Sequence, residues 1–150
     1  MVELREVDRN NYNDVIKLSV SDEQKNFVSS NIYSLAQAKA LPECIPLAIC
    51  NNEEVLVGFL MYCMDFDEKE YWIYRLMIDK NHQGKGYGKA ALKCILSEIK
   101  KDKSHNKVYL SFAPENEAAK KMYEEFGFVS DNRMDGGEVV YCLHYGCQEK

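Results

Sequence analysis

A glycine-rich loop between a strand-like segment and an amphipathic helix is the part of this sequence best suited to hold a phosphorylated ligand. The loop is Gln83-Gly84-Lys85-Gly86-Tyr87-Gly88, and it follows the strand-like run 71–79. Glycine adopts positive φ and lets the backbone approach a ligand closely, and the free N–H groups in a helix's first turn attract phosphate oxygens. The loop therefore predicts a pyrophosphate-binding turn but does not identify the cofactor.

Two other phosphate-binding loops do not fit this segment. A dinucleotide fingerprint needs Gly-x-Gly-x-x-Gly and an acidic residue at the end of the next strand. Here the glycines fall at 84, 86 and 88, and the next strand leads into Ala113-Pro114. A Walker loop needs Gly-Lys followed by serine or threonine, which the sequence lacks. For the loop considered alone, a turn without a ligand stays an open alternative.

Hydrophobic patterning predicts one domain of mixed α+β class over residues 1–150, which has to position this loop. The predicted order is β-α-α-β-β-β-α-β-α-β-β, with Asp135-Gly136-Gly137 joining the last two strands as a hairpin. Gly127 is predicted to follow the C-terminus of the last helix. The strands are predicted at 2–7, 47–50, 55–62, 71–79, 108–112, 128–134 and 138–145, and the helices at 11–19, between 21 and 42, after the loop, and from about 116.

Composition and charge exclude several classes of function. Apolar residues make up 46% of the chain and charged residues 29%, and no apolar run approaches the roughly 20 residues of a membrane span. The N-terminus lacks the features of a secretory signal, so we expect a cytoplasmic protein that does not bind membranes. A net charge of −5 disfavours nucleic-acid binding and favours cationic ligands, especially near the acidic segments 53–54 and 65–70.

The cysteine pattern predicts reduced thiols and no metal site. The six cysteines show no paired Cys-x-x-Cys spacing. Strand alternation would place Cys142 and His144 on one face, near Cys147, but the sequence offers no second pair of ligands.

Two linked motifs resemble the GCN5-related N-acetyltransferase (GNAT) family. The first is Gln83-x-x-Gly86-x-Gly88, and the second is Asn116-x-x-Ala119-x-x-x-Tyr123-x-x-x-Gly127-Phe128. With the element order, the resemblance covers nearly the whole chain. It implies the GNAT fold, a mixed central sheet of about six or seven strands whose central parallel strands splay apart, flanked by about four helices. It also implies acetyl-CoA as co-substrate and a homodimer as a candidate assembly.

Residues 23–35, 57–59 and 71–88 resemble, within that family, the bacterial spermine/spermidine (diamine) acetyltransferases. This closer resemblance implies transfer of an acetyl group to a primary amine of a polyamine, by direct attack in a ternary complex. A protein amine, an aminoglycoside-like amine and a noncatalytic acetyl-CoA-binding module remain open alternatives.

The family resemblance also implies roles for individual residues. Tyr123 matches the acid that protonates the leaving thiolate of coenzyme A, although it could also be a packing residue on an apolar helix face. Asn116 matches a pantetheine contact, a role compatible with capping the helix. The backbone groups implied to hold the acetyl and pantetheine arm belong to Leu76, Met77 and Ile78. The residues implied to hold the pyrophosphate are Gln83, Gly84, Lys85, Gly86, Tyr87, Gly88 and Lys89.

The group that accepts the proton of the attacking amine is left open by the sequence. Tyr74 occupies the position where polyamine acetyltransferases often carry a carboxylate. Glu70, Glu43, Asp67 or a water chain are the alternatives. The resemblance places the amine between residues 23–35 and the hairpin at 128–145. The candidate substrate contacts are Glu23, Phe27 and Tyr74, with Glu23 and the acidic turn 65–70 expected to bind distal ammonium groups.

Overall fold

The structure is a computed structural model that describes residues 1–146, and it contains one seven-stranded sheet with helices on both faces. The order of elements confirms the predicted β-α-α-β-β-β-α-β-α-β-β pattern. In chain order the elements are β1 (Val2–Glu6), α1 (Tyr12–Lys17), a 3₁₀ turn (Asp22–Gln24), α2 (Asn31–Ala40), β2 (Cys44–Asn51), β3 (Leu56–Met64), β4 (Tyr71–Ile78), a second 3₁₀ turn (Lys80–His82), α3 (Tyr87–Ile99), β5 (Lys107–Phe112), α4 (Glu117–Glu125), β6 (Val129–Asp135) and β7 (Glu138–His144).

The central strands of the sheet part from each other halfway along their length. The strand order is β1-β2-β3-β4-β5-β7-β6, in which β4 and β5 are parallel and the other neighbours are antiparallel. The β4–β5 pairing ends at Ile73↔Leu110. Beyond that pair, β4 stays with β3 as far as Ile78, whereas β5 stays with β7 as far as Phe112. The predicted splay is therefore confirmed.

A β-bulge marks the point at which β4 turns away from β5. On β3, Met61 pairs with Arg75 and Tyr62 pairs with Ile73, so Tyr74 between them has no partner. An extra residue on one strand bends that strand and increases its local twist. The bulge therefore accounts for the divergence of β4 immediately after its last pair with β5.

The two faces of the sheet carry two hydrophobic clusters. On one face α3 and α4 pack against the sheet, and the helix positions Leu92, Ile95, Leu96 and Ile99 are buried as the helical spacing predicted. On the other face α1 and α2 cover a second cluster around Phe59. Because both faces are covered, the central strands are anchored and the splay is held open by the packed layers.

Local turn chemistry accounts for the connections next to the site. The N–H groups of Gly127 and Phe128 donate to the carbonyls of Glu124 and Tyr123, at 3.0 and 3.1 Å, which is the Schellman pattern predicted for Gly127. At the β6–β7 turn Gly136 and Gly137 have φ of 56° and 87°. Two consecutive positive φ angles define the tight hairpin turn that the sequence predicted.

The second strand of the sheet is longer than the sequence indicated. It was predicted at 47–50, but β2 begins at Cys44. Pro46 concealed this start, because proline is confined to strand ends and edges. In the sheet, Pro46 lies beyond the last β1 pair, Glu6↔Leu47.

The cysteines of residues 1–146 are free thiols, of which Cys94 is half-buried and the other four are buried. Cys147, one member of the metal site considered above, lies outside the described residues. Within the described chain no group of three or more His, Cys, Asp or Glu side chains could hold a metal ion.

Among the helices of residues 1–146, none combines the length and the apolar composition needed to cross a membrane.

Candidate active site

A cavity of about 520 Å³ opens where β4 and β5 part. Its walls come from the end of β4, the glycine loop, α4 and the segment 20–29. Most residues that the sequence suggested for acetyl-CoA or for the acid meet there: Leu76, Met77, Ile78, Gln83, Gly84, Gly86, Tyr87, Gly88, Asn116 and Tyr123.

Three of the suggested residues lie outside this lining. Lys85 and Lys89 do not reach the cavity, and the Lys89 ammonium is 2.9 Å from the carboxylate of Glu125. Glu23 is also absent from the lining, although its neighbours Gln24 and Phe27 are part of it. The loop therefore presents main chain rather than lysine side chains to the cavity.

The glycine loop places a row of backbone N–H groups at the mouth of the cavity. Gly84 and Gly86 have φ of 79° and 84°, a region that other residues rarely adopt. Helix α3 begins after Gly86 without a side-chain cap. Its first backbone hydrogen bond runs from the N–H of Ala90 to the carbonyl of Gly86. The backbone N–H groups in the first turn of α3, before Ala90, have no partner within the helix. They remain available to bind an anion at the positive end of the helix dipole.

Gln83 uses its side chain to hold the cavity wall together. Its amide nitrogen donates to the carbonyl of Ile78 and to the side-chain oxygen of Gln24, both at 2.9 Å. These bonds connect the end of β4 to the 3₁₀ turn at Asp22–Gln24, which covers the cavity. The motif glutamine, although exposed, therefore ties the end of β4 to this turn.

The edge of β4 that faces β5 is free from Tyr74 onward, because the β4–β5 pairing ends at Ile73. Leu76, Met77 and Ile78 lie on this segment and line the cavity. An unpaired strand edge can bond an extended chain of amide groups as it would bond another strand. This arrangement suits the extended pantetheine arm that the family resemblance implies.

Tyr123 on α4 is packed between aromatic rings at the bottom of the cavity. It is only 8% exposed, and its ring centroid is 5.7 Å from that of Phe112 and 5.8 Å from that of Phe128. Its hydroxyl has no hydrogen-bond partner among residues 1–146. Burial, with a smaller contribution from the charge of Glu138, raises the pKa of Tyr123 to about 12. The phenol is therefore protonated at neutral pH and can act as an acid.

Asn116 is both the N-cap of α4 and part of the cavity wall. Its side-chain oxygen accepts a hydrogen bond of 3.2 Å from the N–H of Ala119. The cap fixes the start of the helix that carries Tyr123, and the amide nitrogen is left to contact a ligand. The two roles considered for Asn116 are compatible in this geometry.

A second, more polar cavity of about 290 Å³ adjoins the first. Its lining contains four carboxylates, which belong to Asp65, Glu68, Asp135 and Glu138. Its only positively charged lining residue in the described chain is Arg75, so the lining carries four negative charges and one positive charge, a net charge of −3. The wall shared by the two cavities consists of Ile73, Tyr74, Arg75, Ser111 and Glu138.

The hydroxyl of Tyr74 is engaged with a carboxylate of the second cavity. It donates a hydrogen bond of 2.6 Å to Asp65. Burial, and then this bond, raises the pKa of Tyr74 well above its ordinary value. Burial alone would raise the pKa of Asp65, but the bonds from Tyr74 and from the N–H groups of Glu68 and Asp67 outweigh it and lower that pKa. Neither group of this pair is suited to take a proton near pH 7.

The other carboxylates considered as proton acceptors are not placed for that role. Glu43, Asp67 and Glu70 line neither cavity in the described chain. Glu70 instead faces Lys107, at 3.8 Å. Sequence reasoning missed Asp135 and Glu138, which flank the Gly136-Gly137 turn and reach the site only through the pairing of β7 with β5.

We expect Tyr74→Phe to keep kcat within tenfold of the wild-type value, because the hydroxyl that it removes is bonded to Asp65 and not free for chemistry. The measurement is steady-state release of coenzyme A from acetyl-CoA with a saturating amine. Tyr62→Phe is the matched control, since Tyr62 lines neither cavity. A decrease beyond tenfold in Tyr74→Phe alone would show that the hydroxyl takes part in the reaction.

Comparison with known proteins gives consistent matches over most of the chain. The sequence profile of the Acetyltransferase (GNAT) family matches residues 12–128. A protein of Bacillus subtilis subsp. natto (strain BEST195), named probable spermine N(1)-acetyltransferase, is 31% identical over 146 residues, covering 93% of this chain and 95% of that protein. The spermine/spermidine N(1)-acetyltransferase of Bacillus subtilis (strain 168) is 30% identical, with the same coverage of 93% and 95%.

The fold of the chain is also found among solved structures. The crystal structure of spermidine N-acetyltransferase from Vibrio cholerae, in complex with CoA and spermine, matches with a TM-score of 0.73 at 19% identity. The match covers 94% of this chain and 92% of that one. At this level of identity the likeness concerns the fold alone.

Proposed function

Because the chain belongs to the Acetyltransferase (GNAT) family and is therefore an acetyl-CoA-dependent N-acetyltransferase, we propose that its acceptor is a polyamine, such as spermidine or spermine. The observation that carries the proposal is the acidic cavity next to the larger cavity, whose lining side chains carry a net charge of −3. Glu68 is already paired with Arg133 at 2.9 Å, and counting that cation leaves a net charge of −2 to attract a ligand. A polyamine carries several ammonium groups along a flexible chain. Carboxylates spaced along a cavity attract such a chain over its whole length.

The two cavities provide a route for direct transfer. The free edge of β4 and the first turn of α3 bind acetyl-CoA in the larger cavity, with its thioester near Tyr123. A polyamine in the acidic cavity then brings a terminal nitrogen to the shared wall, while its remaining ammonium groups stay among the carboxylates. Close placement of this kind supplies much of the rate of a two-substrate reaction.

The named relatives support the polyamine proposal independently of the geometry. The two Bacillus proteins are named for spermine and spermidine, and they match along nearly the full length of both chains. None of the four carboxylates of the acidic cavity lies in the segments that carry the sequence resemblance, although Asp135 and Glu138 belong to the hairpin 128–145 beside which the resemblance placed the amine. The charge of the cavity is therefore a separate line of support.

The proposal is tested by measuring coenzyme A release with spermidine, spermine, a lysine-containing peptide and an aminoglycoside side by side. We expect the highest kcat/KM with the polyamines. A higher value with the peptide or the aminoglycoside would overturn the polyamine assignment. Tight binding of acetyl-CoA without turnover of any amine would instead indicate a noncatalytic binding module.

We expect Asp135→Asn to raise the KM for spermidine about three- to fivefold with little change in kcat, the effect of losing one exposed charge pair. Asp135 lines the acidic cavity, and its carboxylate has no hydrogen bond or ion pair within residues 1–146. The measurement is the KM at low salt and at 0.5 M salt, since screening should shrink the difference. Glu23→Gln is the matched control because it removes one carboxylate charge outside both cavities. An unchanged KM in Asp135→Asn at low salt would contradict the proposed binding mode.

We also propose a cytoplasmic location and a homodimeric assembly. The free thiols of residues 1–146 are consistent with a reducing compartment. Light scattering of the purified protein tests the assembly against the chain mass of 17.3 kDa.

A further inference from the structure

The wall between the two cavities contains a single carboxylate among the described residues. Both cavities are lined by Ile73, Tyr74, Arg75, Ser111 and Glu138, and of these only Glu138 carries a carboxyl group. A nitrogen that passes from the acidic cavity to a thioester in the larger one has to cross this wall. The chemistry of the wall therefore decides where the ammonium proton goes.

The other members of the wall cannot take that proton. The Tyr74 hydroxyl already donates to Asp65, and Arg75 is a cation whose Nη groups donate to the Tyr74 carbonyl and to Gln37, at 2.9 and 3.0 Å. Ser111 donates its hydroxyl hydrogen to Glu138, and Ile73 is apolar. Glu138 remains as the group with lone pairs and a negative charge.

The position of Glu138 is fixed by its surroundings. It is the first residue of β7, directly after the Gly136-Gly137 turn, and its Oε1 accepts a hydrogen bond of 2.7 Å from Ser111 on β5. Its other oxygen, Oε2, has no hydrogen bond within residues 1–146. Glu138 and Tyr123 line the same larger cavity, so the carboxylate and the phenol border one space.

We propose that Glu138 is the catalytic base that removes a proton from the ammonium group of the acceptor. The inference rests on the proposed transfer to an amine, and it places the base on β7 instead of on β4, where Tyr74 stands. An amine with a pKa near that of lysine, about 10.4, is almost fully protonated at pH 7 and has no lone pair for attack. A carboxylate held at the wall supplies this deprotonation at the point of use.

The proposed step balances in protons and electrons. Glu138 takes one proton from the ammonium group, and the nitrogen lone pair forms the C–N bond while the C–S bond breaks. Tyr123 gives its proton to the departing sulfur and recovers one, through water, from the newly acylated nitrogen. The proton on Glu138 passes to solvent, so the products are one amide, one thiol and one released proton.

The test compares Glu138→Gln with the wild type, using the primary amine that the wild type acetylates fastest. We expect kcat/KM at pH 7 to fall about 100-fold or more, the usual contribution of a general base. An analogue with fluorine atoms beside the reacting nitrogen is largely unprotonated at pH 7, so the variant should acetylate it within about fivefold of the wild-type rate. A structural defect would lower both rates equally, and that outcome would overturn the proposal.

The pH dependence gives a second readout. In Glu138→Gln the rate should rise with pH toward the wild-type rate, because solvent removes the ammonium proton as the pH approaches the amine pKa, about 10.4. The groups facing Glu138 are Arg75 and Tyr74 on β4, Tyr123 on α4, Asp135 on β6, and the turn carboxylates Asp65 and Glu68. These groups are unchanged in Glu138→Gln, so a difference between the two pH profiles reports the loss of the Glu138 carboxylate. A pH profile parallel to the wild-type profile would contradict the proposal.

Two control variants separate this role from charge and from folding. Asp135→Asn removes a nearby charge and should change KM rather than kcat. Glu138→Asp keeps a carboxylate, so its kcat/KM should be at least tenfold higher than that of Glu138→Gln.

If the wild type acetylates another primary amine but no polyamine, the acceptor proposal fails and Glu138 is tested with that amine. If the wild type acetylates no amine at all, both the acceptor proposal and the assignment of Glu138 as the base are overturned.

Discussion

Tyr123→Phe should lower kcat about 100-fold, the low end of what a general acid contributes, while the KM for acetyl-CoA stays within about threefold. The phenol of Tyr123 is the only acidic hydroxyl on α4 that lines the larger cavity. Its pKa of about 12 keeps it protonated throughout the neutral range. Phenylalanine keeps the ring but cannot give a proton to a thiolate. The measurement is coenzyme A release with saturating acetyl-CoA and amine.

The same substitution should leave the fold intact. The Tyr123 hydroxyl has no hydrogen-bond partner within residues 1–146, so removing it leaves no polar group unsatisfied, and the contacts of the ring with Phe112 and Phe128 are retained. We expect the free energy of unfolding at pH 7 to change by less than about 0.5 kcal/mol. Tyr62→Phe is the control outside both cavities. If Tyr123→Phe keeps more than a third of the wild-type kcat, Tyr123 is a packing residue.

The raised pKa of Tyr123 also predicts the behaviour of the protein at alkaline pH. The folded-state pKa, about 12, lies above the ordinary value of 10.0, so the folded state holds this proton more tightly than the unfolded state. Its contribution to stability is fully present below pH 10 and is lost as the pH rises toward 12. Tyr123→Phe should therefore lose less stability than the wild type between pH 10 and 12, as measured by denaturant unfolding at each pH.

Gly58→Ala should destabilise the protein by about 3 kcal/mol, the upper part of the usual range for overpacking a core. A Cβ at this position would overlap the carbonyl oxygen of Met77 and lie 2.8 Å from Cδ1 of Ile78. The obstacle is backbone on the neighbouring strand, which is held by the pairing of Gly58 with Ile78. A side chain could rotate away, but this carbonyl can move only if the end of β4 moves.

The effect of Gly58→Ala should extend to the larger cavity. Met77 and Ile78 line that cavity, so a displaced β4 should also raise the KM for acetyl-CoA. Chemical denaturation gives the stability, and steady-state kinetics give the KM. Gly88→Ala is the control for stability, because its Cβ would be 3.7 Å from Ile78 and 3.8 Å from Met122, which are ordinary contacts. A Gly58→Ala protein as stable as the wild type would show that β4 adapts without strain.

Local sequence signals predicted the parts of the molecule that depend on short-range physics. The positive φ of Gly84 and Gly86, the Schellman end at Gly127 and the Gly136-Gly137 turn each follow from residue type and immediate neighbours. The two linked motifs identified the elements that line the larger cavity, because one lies at the start of α3 and the other spans α4 from its N-cap to the residues after its end. Those predictions needed no knowledge of which strands are adjacent.

The acidic cavity and its wall could not be predicted in the same way. Ser111 and Glu138 meet because β5 pairs with β7, and the distance of the two positions along the chain gives no local signal of that pairing. The bulge that directs Tyr74 toward Asp65 arises from a register shift between β3 and β4. Lys85 and Lys89, which the sequence also suggested, lie outside the two linings because the loop presents its backbone inward. Glu23, in the 3₁₀ turn Asp22–Gln24, lies outside both linings as well.

The sequence by itself therefore identified the family, the elements that line the larger cavity and Tyr123 as the candidate acid, since these depend on motifs, glycine conformations and helix periodicity that neighbouring residues specify. Only the tertiary structure placed Glu138 and Asp135 in the lining of the second cavity, beside the proposed route of the acceptor. Their positions depend on long-range strand pairing and on the parting of β4 from β5, which are set by the packing of both faces of the sheet.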